Sequence, residues 1–375
     1  MKNKFQINLS ETLSFSRDEL YSKKSFKFDM TLLSKQWLFL DHASNYNREQ
    51  TAKTYYIFSH KILVKKLKNV FSCIILSKNL VEQNCVNPSI LNEFRFYAHK
   101  KAIIIKEIEG LLFVTFNAQD AIDFDVIEQD ITPLMRWHGI QKAKVAFKKS
   151  YSIQANWKSV TENLLECYHC YANHPEMCSV AIHPTITSTD SYKHVMTGVE
   201  VWKKWQSSTD AMGYPLKERT NIDYLSPQFH VIYRSPINVQ HKSHSRDKSL
   251  LAPLMGSYKE SDYGETFGYI GPLTLFSMPN DYAYVLRVNP MSNCKTVVDL
   301  CWLVDEKAEE NKDFKLDKLI WYWDSTVAQD KIAIERAHKG TSSRFYSPGK
   351  YTKLEEESAR FAIWYRKFRS DGHAL

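Results

Sequence analysis

The sequence contains no run of about 18 apolar residues, the length that a membrane-spanning helix needs, so we expect no such helix. Residues 1–6 also lack the apolar stretch of a secretory signal peptide. The seven cysteines are odd in number and irregular in spacing, which argues against a disulfide framework. We therefore expect a cytoplasmic protein with reduced cysteines, in which Cys167 and Cys170 are small core residues.

Clusters of positive charge are also few, although the net charge is +8. The basic segment 241–248 has no aromatic residues between its charges on which bases could stack. We interpret it as a mobile surface loop near a substrate entrance, and we predict no nucleic-acid partner. With 43% hydrophobic and 13% aromatic residues, the chain can bury a sizeable core, which favours a folded protein of two domains.

The segment 162–175 is the most informative part of the sequence. Glu166 and His169 are three residues apart, so a helix would place them on one face. His174 follows five residues later, and Pro175 turns the backbone before it out of the helical region. Two imidazoles and one carboxylate on one face of a metal suit a mononuclear Fe(II) oxygenase. The alternative is a helix with two ordinary histidines, since this spacing alone is a weak signal.

Further short motifs accompany this segment in the C-terminal two thirds of the chain. They are Asn156-Trp157-Lys158, Glu162-Asn163, Glu166-Cys167-Tyr168-His169, Asn173-His174-Pro175, Gly271-Pro272-Leu273, Val288-Asn289-Pro290 and Val327-Ala328-Gln329-Asp330, with Glu335 and Gly340 beyond them. Together they resemble the catalytic domain of Rieske-type non-haem iron oxygenase α subunits, in the branch of the choline, glycine betaine and carnitine oxygenases. The resemblance covers most of residues 145–375.

The resemblance implies that His169, His174 and Asp330 bind a mononuclear Fe(II). Apolar residues from about 316 to 339 recur at helical spacing, which predicts a helix that carries Asp330. Taken alone, Asp330 would be a solvated charge on that helix. Glu166 matches the carboxylate that, in the family, links the cluster of one subunit to the iron of its neighbour. It could also orient a histidine ligand by a hydrogen bond, and both roles could hold together.

The first 150 residues lack the ligand pattern of this family's iron–sulfur cluster. A Rieske [2Fe–2S] centre needs two cysteines and two histidines, which the family spaces as Cys-x-His and Cys-x-x-His. Neither spacing occurs, and the expected positions read Ser77-Lys78-Asn79-Leu80 and Phe94-Arg95-Phe96-Tyr97. We therefore expect no [2Fe–2S] cluster in this chain. A zinc site of Cys73, Cys85 and His99 is an alternative, but three scattered ligands argue against it.

The predicted fold is α+β. Residues 35–120 would form an all-β Rieske-like domain that has lost its cluster ligands. Residues 1–34 and 121–375 would form a helix-grip catalytic domain, in which an antiparallel sheet wraps around the long C-terminal helix. We predict strands at 54–58, 61–66, 70–76, 102–107, 111–117, 144–153, 229–233, 273–277, 282–289 and 296–304. Candidates for the pocket walls are Trp202, Trp205, Tyr214 and Tyr233.

The resemblance implies an O2-dependent hydroxylation, demethylation or related oxidation of a small molecule, with amines and quaternary ammonium compounds as candidates. Such a monooxygenase needs two external electrons, which the cluster normally delivers. Because the family forms trimers with head-to-tail contacts, a mixed ring would let a cluster-bearing subunit or a reductase feed this iron. The alternatives are a non-catalytic scaffold or regulatory subunit of such a complex, and a stand-alone Fe(II) enzyme. A scaffold has no need of Glu166 beside three metal ligands.

Overall fold

The computed structural model describes most of the 375 residues. The described residues are 11–46, 51–58, 60–67, 70–76, 103–117, 122–181, 191–219, 226–227, 229–238 and 240–371, without the side chains of 67, 191–198 and 370–371. The predicted cluster positions 77–80 and 94–97, together with Cys85 and His99, lie outside these residues. The loss of the [2Fe–2S] ligands therefore stays a prediction from the sequence.

Three antiparallel sheets occur in the described part of the chain. Two have three strands each, in the orders β1-β6-β5 and β2-β3-β4, and the third has six, in the order β7-β12-β11-β10-β9-β8. The strands are β1 Leu38–His42, β2 Ala52–Ile57, β3 His60–Leu67, β4 Val70–Ile75, β5 Ile104–Ile108, β6 Leu111–Thr115, β7 Ala143–Ile153, β8 His230–Pro236, β9 Gly264–Ile270, β10 Thr274–Met278, β11 Ala283–Ser292 and β12 Lys295–Asp305.

The α-helices of the same residues lie before, between and after these strands. They are α1 Arg17–Tyr21, α2 Lys23–Ser34, α3 Asp125–Trp137, α4 Trp157–Leu165, α5 Cys170–Asn173, α6 Pro175–Val180, α7 Ser191–Ala211, α8 Leu316–Thr341 and α9 Glu356–Asp371. Among the described helices, none combines the length and apolar character needed to cross a membrane.

The six-stranded sheet separates two hydrophobic clusters, because side chains alternate between its faces. Leu275 and Tyr284 belong to the cluster shared with α8, whereas Phe276 and Val285 belong to the cluster shared with α3. α8 is fixed across the first face by Asp324, whose carboxylate contacts Lys149 Nζ at 2.7 Å. The predicted α+β fold, with a long C-terminal helix on an antiparallel sheet, is confirmed.

One strand of this sheet, β9, was missed by the sequence analysis. Its sequence, GETFGYI, has two glycines and no continuous β-branched or aromatic run. Both glycines are needed for close packing rather than for a turn. A Cβ on Gly264 would lie 2.6 Å from the ring of Trp205, and a Cβ on Gly268 would lie 2.5 Å from the ring of Phe276. The packing of large rings against bare backbone therefore hides this strand from pattern reading.

The small sheets contact the large one through polar groups. Asp41, fully buried at the bulge of β1, binds Lys148 of β7 and accepts a 2.5 Å hydrogen bond from Tyr55 on β2. Arg287 of β11 donates to the carbonyl oxygens of Phe39 and Leu40, each at 3.0 Å. These contacts hold the β-rich residues between 38 and 115 against the helix-gripping sheet.

A buried carboxylate joins the helices α2, α4 and α9 close to the segment 162–175. Asp29 of α2 is 0% exposed and accepts hydrogen bonds from Trp157 Nε1 at 2.9 Å and Tyr365 OH at 2.8 Å. It also accepts a hydrogen bond from Lys158 Nζ, which is likewise 0% exposed. Burial lowers the pKa of Lys158, and the charge of Asp29 opposes that change. This cluster connects α2 and α9 to the first residues of α4.

We expect Asp29→Asn to lower the free energy of unfolding by about 3–5 kcal/mol, because it leaves the Lys158 charge buried without a counter-ion. Tyr365→Phe, which removes one hydrogen bond from the same carboxylate, should cost only about 1 kcal/mol. Urea unfolding of the two variants beside the wild type measures both. Equal losses would show that the ion pair is not the main stabilising contact of the cluster.

Candidate metal centre

The segment that carries the predicted ligands is a series of short turns rather than one helix. α4 ends at Leu165, and Glu166 has an extended backbone, so the expected shared helix face of Glu166 and His169 is wrong. His169 instead precedes α5, and a turn brings the two side chains together. His174 lies between α5 and α6, with φ −122° and ψ 70°, and Pro175 begins α6. The predicted break before Pro175 is confirmed.

The three predicted ligands converge. α8 brings Asp330 under the segment, where its Oδ1 lies 3.1 Å from His169 Nε2 and 2.9 Å from His174 Nε2. Asp330 and His174 are buried, whereas the His169 side chain is 17% exposed. Two imidazole nitrogens and one carboxylate oxygen thus meet at a single point, from chain segments about 160 residues apart in sequence.

Hydrogen bonds on the far side of each ring fix how the histidines face this point. His169 Nδ1 donates to Glu166 Oε1 at 2.5 Å, and His174 Nδ1 donates to Gln329 Oε1 at 2.9 Å. Gln329 Nε2 in turn donates to Glu176 Oε2 at 2.6 Å. With each Nδ1 protonated, each Nε2 carries a lone pair that a metal can bind, and at His169 a metal would replace the contact of Nε2 with Asn163 Nδ2 at 3.1 Å. The sequence analysis assigned no role to Gln329 or Glu176. The position of Gln329 next to the predicted ligand Asp330 could have indicated that it lies near the metal centre.

The residues fit a bound metal ion. His174 Nε2 is buried and makes no hydrogen bond, even though Asp330 Oδ1 lies 2.9 Å away. A buried nitrogen of this kind is costly unless another partner satisfies it. A divalent ion between His169, His174 and Asp330 would satisfy it, and two imidazoles with one carboxylate are the donors of non-haem Fe(II) sites.

Charge also accumulates at this point. Burial lowers the pKa of His169, but the hydrogen bonds and charges of Asp330 and Glu166 outweigh it and raise that pKa to about 9. The pKa of His174 is raised in the same way, chiefly by Asp330 against the effect of burial. Burial would raise the pKa of Asp330, yet the two histidines lower it. Without a metal, the ionised carboxylate therefore favours protonated rings, and a bound metal ion would take the place of the Nε2 protons.

One expectation about the cysteines of this segment is wrong. Cys170 is buried in the core and Cys167 packs against it, as expected, but the two form a disulfide, so the expectation of reduced cysteines fails for this pair. Their Cα atoms lie 4.9 Å apart across the turn around His169, within the usual range for a disulfide. The spacing of the two residues did not indicate this turn. Cys170 Sγ lies 3.9 Å from His169 Nε2, next to the ligand point.

The prediction of a surface loop is wrong for half of the basic segment 241–248. His241, Ser243, His244 and Ser245 are buried, whereas the charged residues Lys242, Arg246, Asp247 and Lys248 are exposed. His244 is 0% exposed, and its ring stacks on Tyr322 of α8 with the ring centres 4.2 Å apart. His244 Nδ1 forms a 2.7 Å hydrogen bond with Tyr282 OH, and Ser243 donates to Asp281 at 2.7 Å. These buried polar contacts draw the basic segment inward, which its charge alone did not indicate.

The four candidate wall residues separate into two groups. Tyr233 packs with the cluster on the α8 side of the large sheet, in ring contact with Phe267 at 5.7 Å. Trp205 is buried and donates to Asp262 O at 2.8 Å, Tyr214 packs on Tyr258, and Trp202 is partly exposed. Only Tyr233 among the four candidates therefore lies on the face of the sheet that leads to Asp330.

Comparisons of this chain with family models and with known proteins agree on one family. The model of the ring hydroxylating alpha subunit (catalytic domain) matches residues 140–370. The glycine betaine monooxygenase oxygenase subunit of Pseudomonas aeruginosa is 29% identical over 270 residues, which is 71% of this chain and 60% of that protein. The carnitine monooxygenase oxygenase subunit of Escherichia coli is 25% identical over 196 residues, 46% of this chain and 50% of that protein. This chain thus spans about 60% of the length of the first of these relatives.

Solved structures show the same fold over nearly the whole chain. The quaternary ammonium Rieske monooxygenase CntA in complex with L-carnitine has a TM-score of 0.61 at 14% identity, covering 98% of this chain and 97% of that one. Naphthalene 1,2-dioxygenase with bound indole has a TM-score of 0.58 at 12% identity, with the same coverage. The resemblance found in the motifs is confirmed, and the chain belongs to the family of ring hydroxylating alpha subunits.

Proposed function

We propose that this chain is an iron-dependent oxygenase subunit that oxidises a small amine or quaternary ammonium compound with O2. The observation that carries the proposal is the convergence of His169, His174 and Asp330, each histidine held by a hydrogen bond at Nδ1. Bound there, Fe(II) would supply the redox chemistry of O2 activation. The names of the betaine and carnitine relatives support the substrate class.

The surrounding residues have defined tasks in this proposal. Glu166 and Gln329 hold the Nδ1 protons of the two histidines, so that both Nε2 atoms face the metal. Tyr284 and Trp323, stacked with ring centres 4.6 Å apart, are buried side chains of the cluster that α8 shares with the large sheet. Burial strengthens the charge interactions near them.

Electrons would come from a second chain. The sequence lacks the spacing of the [2Fe–2S] ligands, so we infer that a cluster-bearing subunit or a reductase supplies them in a trimeric, mixed ring. Glu166 is the carboxylate that would face this partner. The large side chains of Tyr168 and Tyr171 beside it are 57% and 59% exposed, and exposed tyrosines of this kind are typical of interface residues.

The first test concerns the metal. Protein purified without oxygen should contain about one iron per chain and, after addition of nitric oxide, give a high-spin iron–nitrosyl signal in electron paramagnetic resonance. Asp330→Asn should lose most of this iron. Asp324→Asn, on the same helix but bonded to Lys149 and Tyr151, should keep it. Full iron content in Asp330→Asn would refute the ligand assignment. Unchanged activity of a complex containing His169→Ala would instead favour the scaffold alternative.

The second test separates the two roles of Glu166. We expect Glu166→Gln to keep the iron, because the amide oxygen can still accept from His169 Nδ1, and to slow iron reduction by the partner roughly 10- to 100-fold. Glu176→Gln, which changes the carboxylate behind Gln329, should leave the reduction rate unchanged. Stopped-flow reduction measures both. A normal rate in Glu166→Gln would leave this residue with the orienting role alone.

The third test concerns the surface beside Glu166. Tyr168→Lys with Tyr171→Lys should abolish co-purification with a cluster-bearing family member and leave the iron content unchanged, because both side chains are exposed and bind no ligand residue. Phe345→Lys, which alters another exposed aromatic residue at 80% exposure, is the matched control. Full activity of a monomer or homotrimer without any Rieske protein would refute the need for a partner.

A further inference from the structure

Glu265 lies on β9, on the face of the large sheet that α8 covers. Its Oε2 accepts a hydrogen bond from Ser277 Oγ at 2.6 Å and lies 3.6 Å from His244 Nε2. Within the described residues, Oε1 makes no hydrogen bond. The side chain keeps 15% of its surface accessible, so solvent or a ligand can reach part of this carboxylate.

Across the part of the chain that the structure describes, no lysine or arginine forms an ion pair with Glu265. Arg234 is paired with Asp262 at 2.9 Å, and Arg219 is paired with Glu357 at 2.9 Å. Burial raises the pKa of Glu265 to about 7, with smaller opposite effects from the Ser277 hydrogen bond and the charge of Arg234. A buried carboxylate of this kind is stabilised by a cation that arrives with a ligand.

Several rings near Glu265 have a face in contact with another group. These contacts are Tyr284 on Trp323 at 4.6 Å and 1°, His244 on Tyr322 at 4.2 Å and 7°, and Arg219 over Tyr233 at 5.6 Å. A quaternary ammonium has no N–H and is usually recognised by open aromatic faces. A protonated amine also offers an N–H, for which the second oxygen of this carboxylate is a free acceptor among the described residues.

The position of Glu265 relative to the metal centre suits a substrate-binding role. Trp323 precedes Asp330 by seven residues of α8, which is about 10 Å along a helix. Between Glu265 and the metal centre, three polar atoms are buried without hydrogen-bond partners: Tyr284 OH, Trp323 Nε1 and His244 Nε2. Buried polar atoms in native proteins normally have a partner, so this row of atoms indicates a polar ligand between Glu265 and the metal centre.

We propose that Glu265 Oε1 accepts a hydrogen bond from the N–H of a protonated primary, secondary or tertiary amine, so that this chain prefers such amines to quaternary ammonium compounds. The inference rests on the proposed function, because the amine is the molecule that would be oxidised at the metal centre. It narrows the substrate class and assigns the residue that selects it.

Calorimetric titration with trimethylammonium and tetramethylammonium tests this preference, since the two ions differ by one N–H. The protein is kept iron-loaded and without oxygen, above the pKa of about 7 of Glu265. Trimethylammonium should bind the wild type at least about tenfold more tightly, as expected for a charge-assisted hydrogen bond. Glu265→Gln should remove the preference, and Glu357→Gln, whose carboxylate is paired with Arg219, should keep it.

Two results would overturn the inference. One is equal or tighter binding of tetramethylammonium by the wild type, and the other is a preference that persists in Glu265→Gln. Glu265→Met, of similar size, replaces that variant if it does not fold. Because binding is read without turnover, the titration of Asp330→Asn separates the two proposals. A retained N–H preference in Asp330→Asn, which is expected to lose its iron, would support the role of Glu265 independently of the metal, whereas a wild type that binds no iron would refute the iron site alone.

Discussion

The structure depends on a buried ion pair that lies outside the metal centre. Removing Asp29 and Lys158 from water is costly, and each charge is tolerable only while the other is in place. Because Lys158 is the second residue of α4, this requirement fixes the start of the helix whose end leads into Glu166. The N-terminal α2 and the C-terminal α9 meet at the same carboxylate through Tyr365. The helices α2 and α9, one near each end of the chain, thus help to determine where the segment 162–175 lies.

From that fixed start, the centre is assembled by two independent elements. The segment after α4 supplies His169 and His174, and α8 supplies Asp330 and Gln329. α8 is held by contacts of its own, including the Lys149–Asp324 pair on β7, so the carboxylate reaches the histidines with little freedom to move. The mutual attraction of these charges favours an ionised carboxylate beside two protonated rings, and a metal ion would bind there by replacing the Nε2 protons.

The sequence predicted correctly those features of the fold that neighbouring residues determine. Pro175 determines the break at His174, apolar spacing determines α8, and the motifs identify Asp330. The sequence alone did not predict conformations that depend on contacts with residues far away in the chain. The buried half of segment 241–248 depends on hydrogen bonds to Asp281 and Tyr282, just before β11, and β9 depends on rings that pack against its glycines. The disulfide depends on a turn that no residue between Cys167 and Cys170 specifies.

The disulfide has a consequence for metal selectivity. Cys170 Sγ is close enough to His169 and His174 to join a shared metal site, since the potential ligand atoms of the three lie within 4.8 Å of one another. A thiolate there would be a soft donor, and soft donors favour zinc or copper(I) over iron. Bonded to Cys167, this sulfur offers no thiolate. The donors that remain are nitrogen and oxygen, so one covalent bond between neighbouring cysteines keeps the centre in the range of hardness that suits Fe(II).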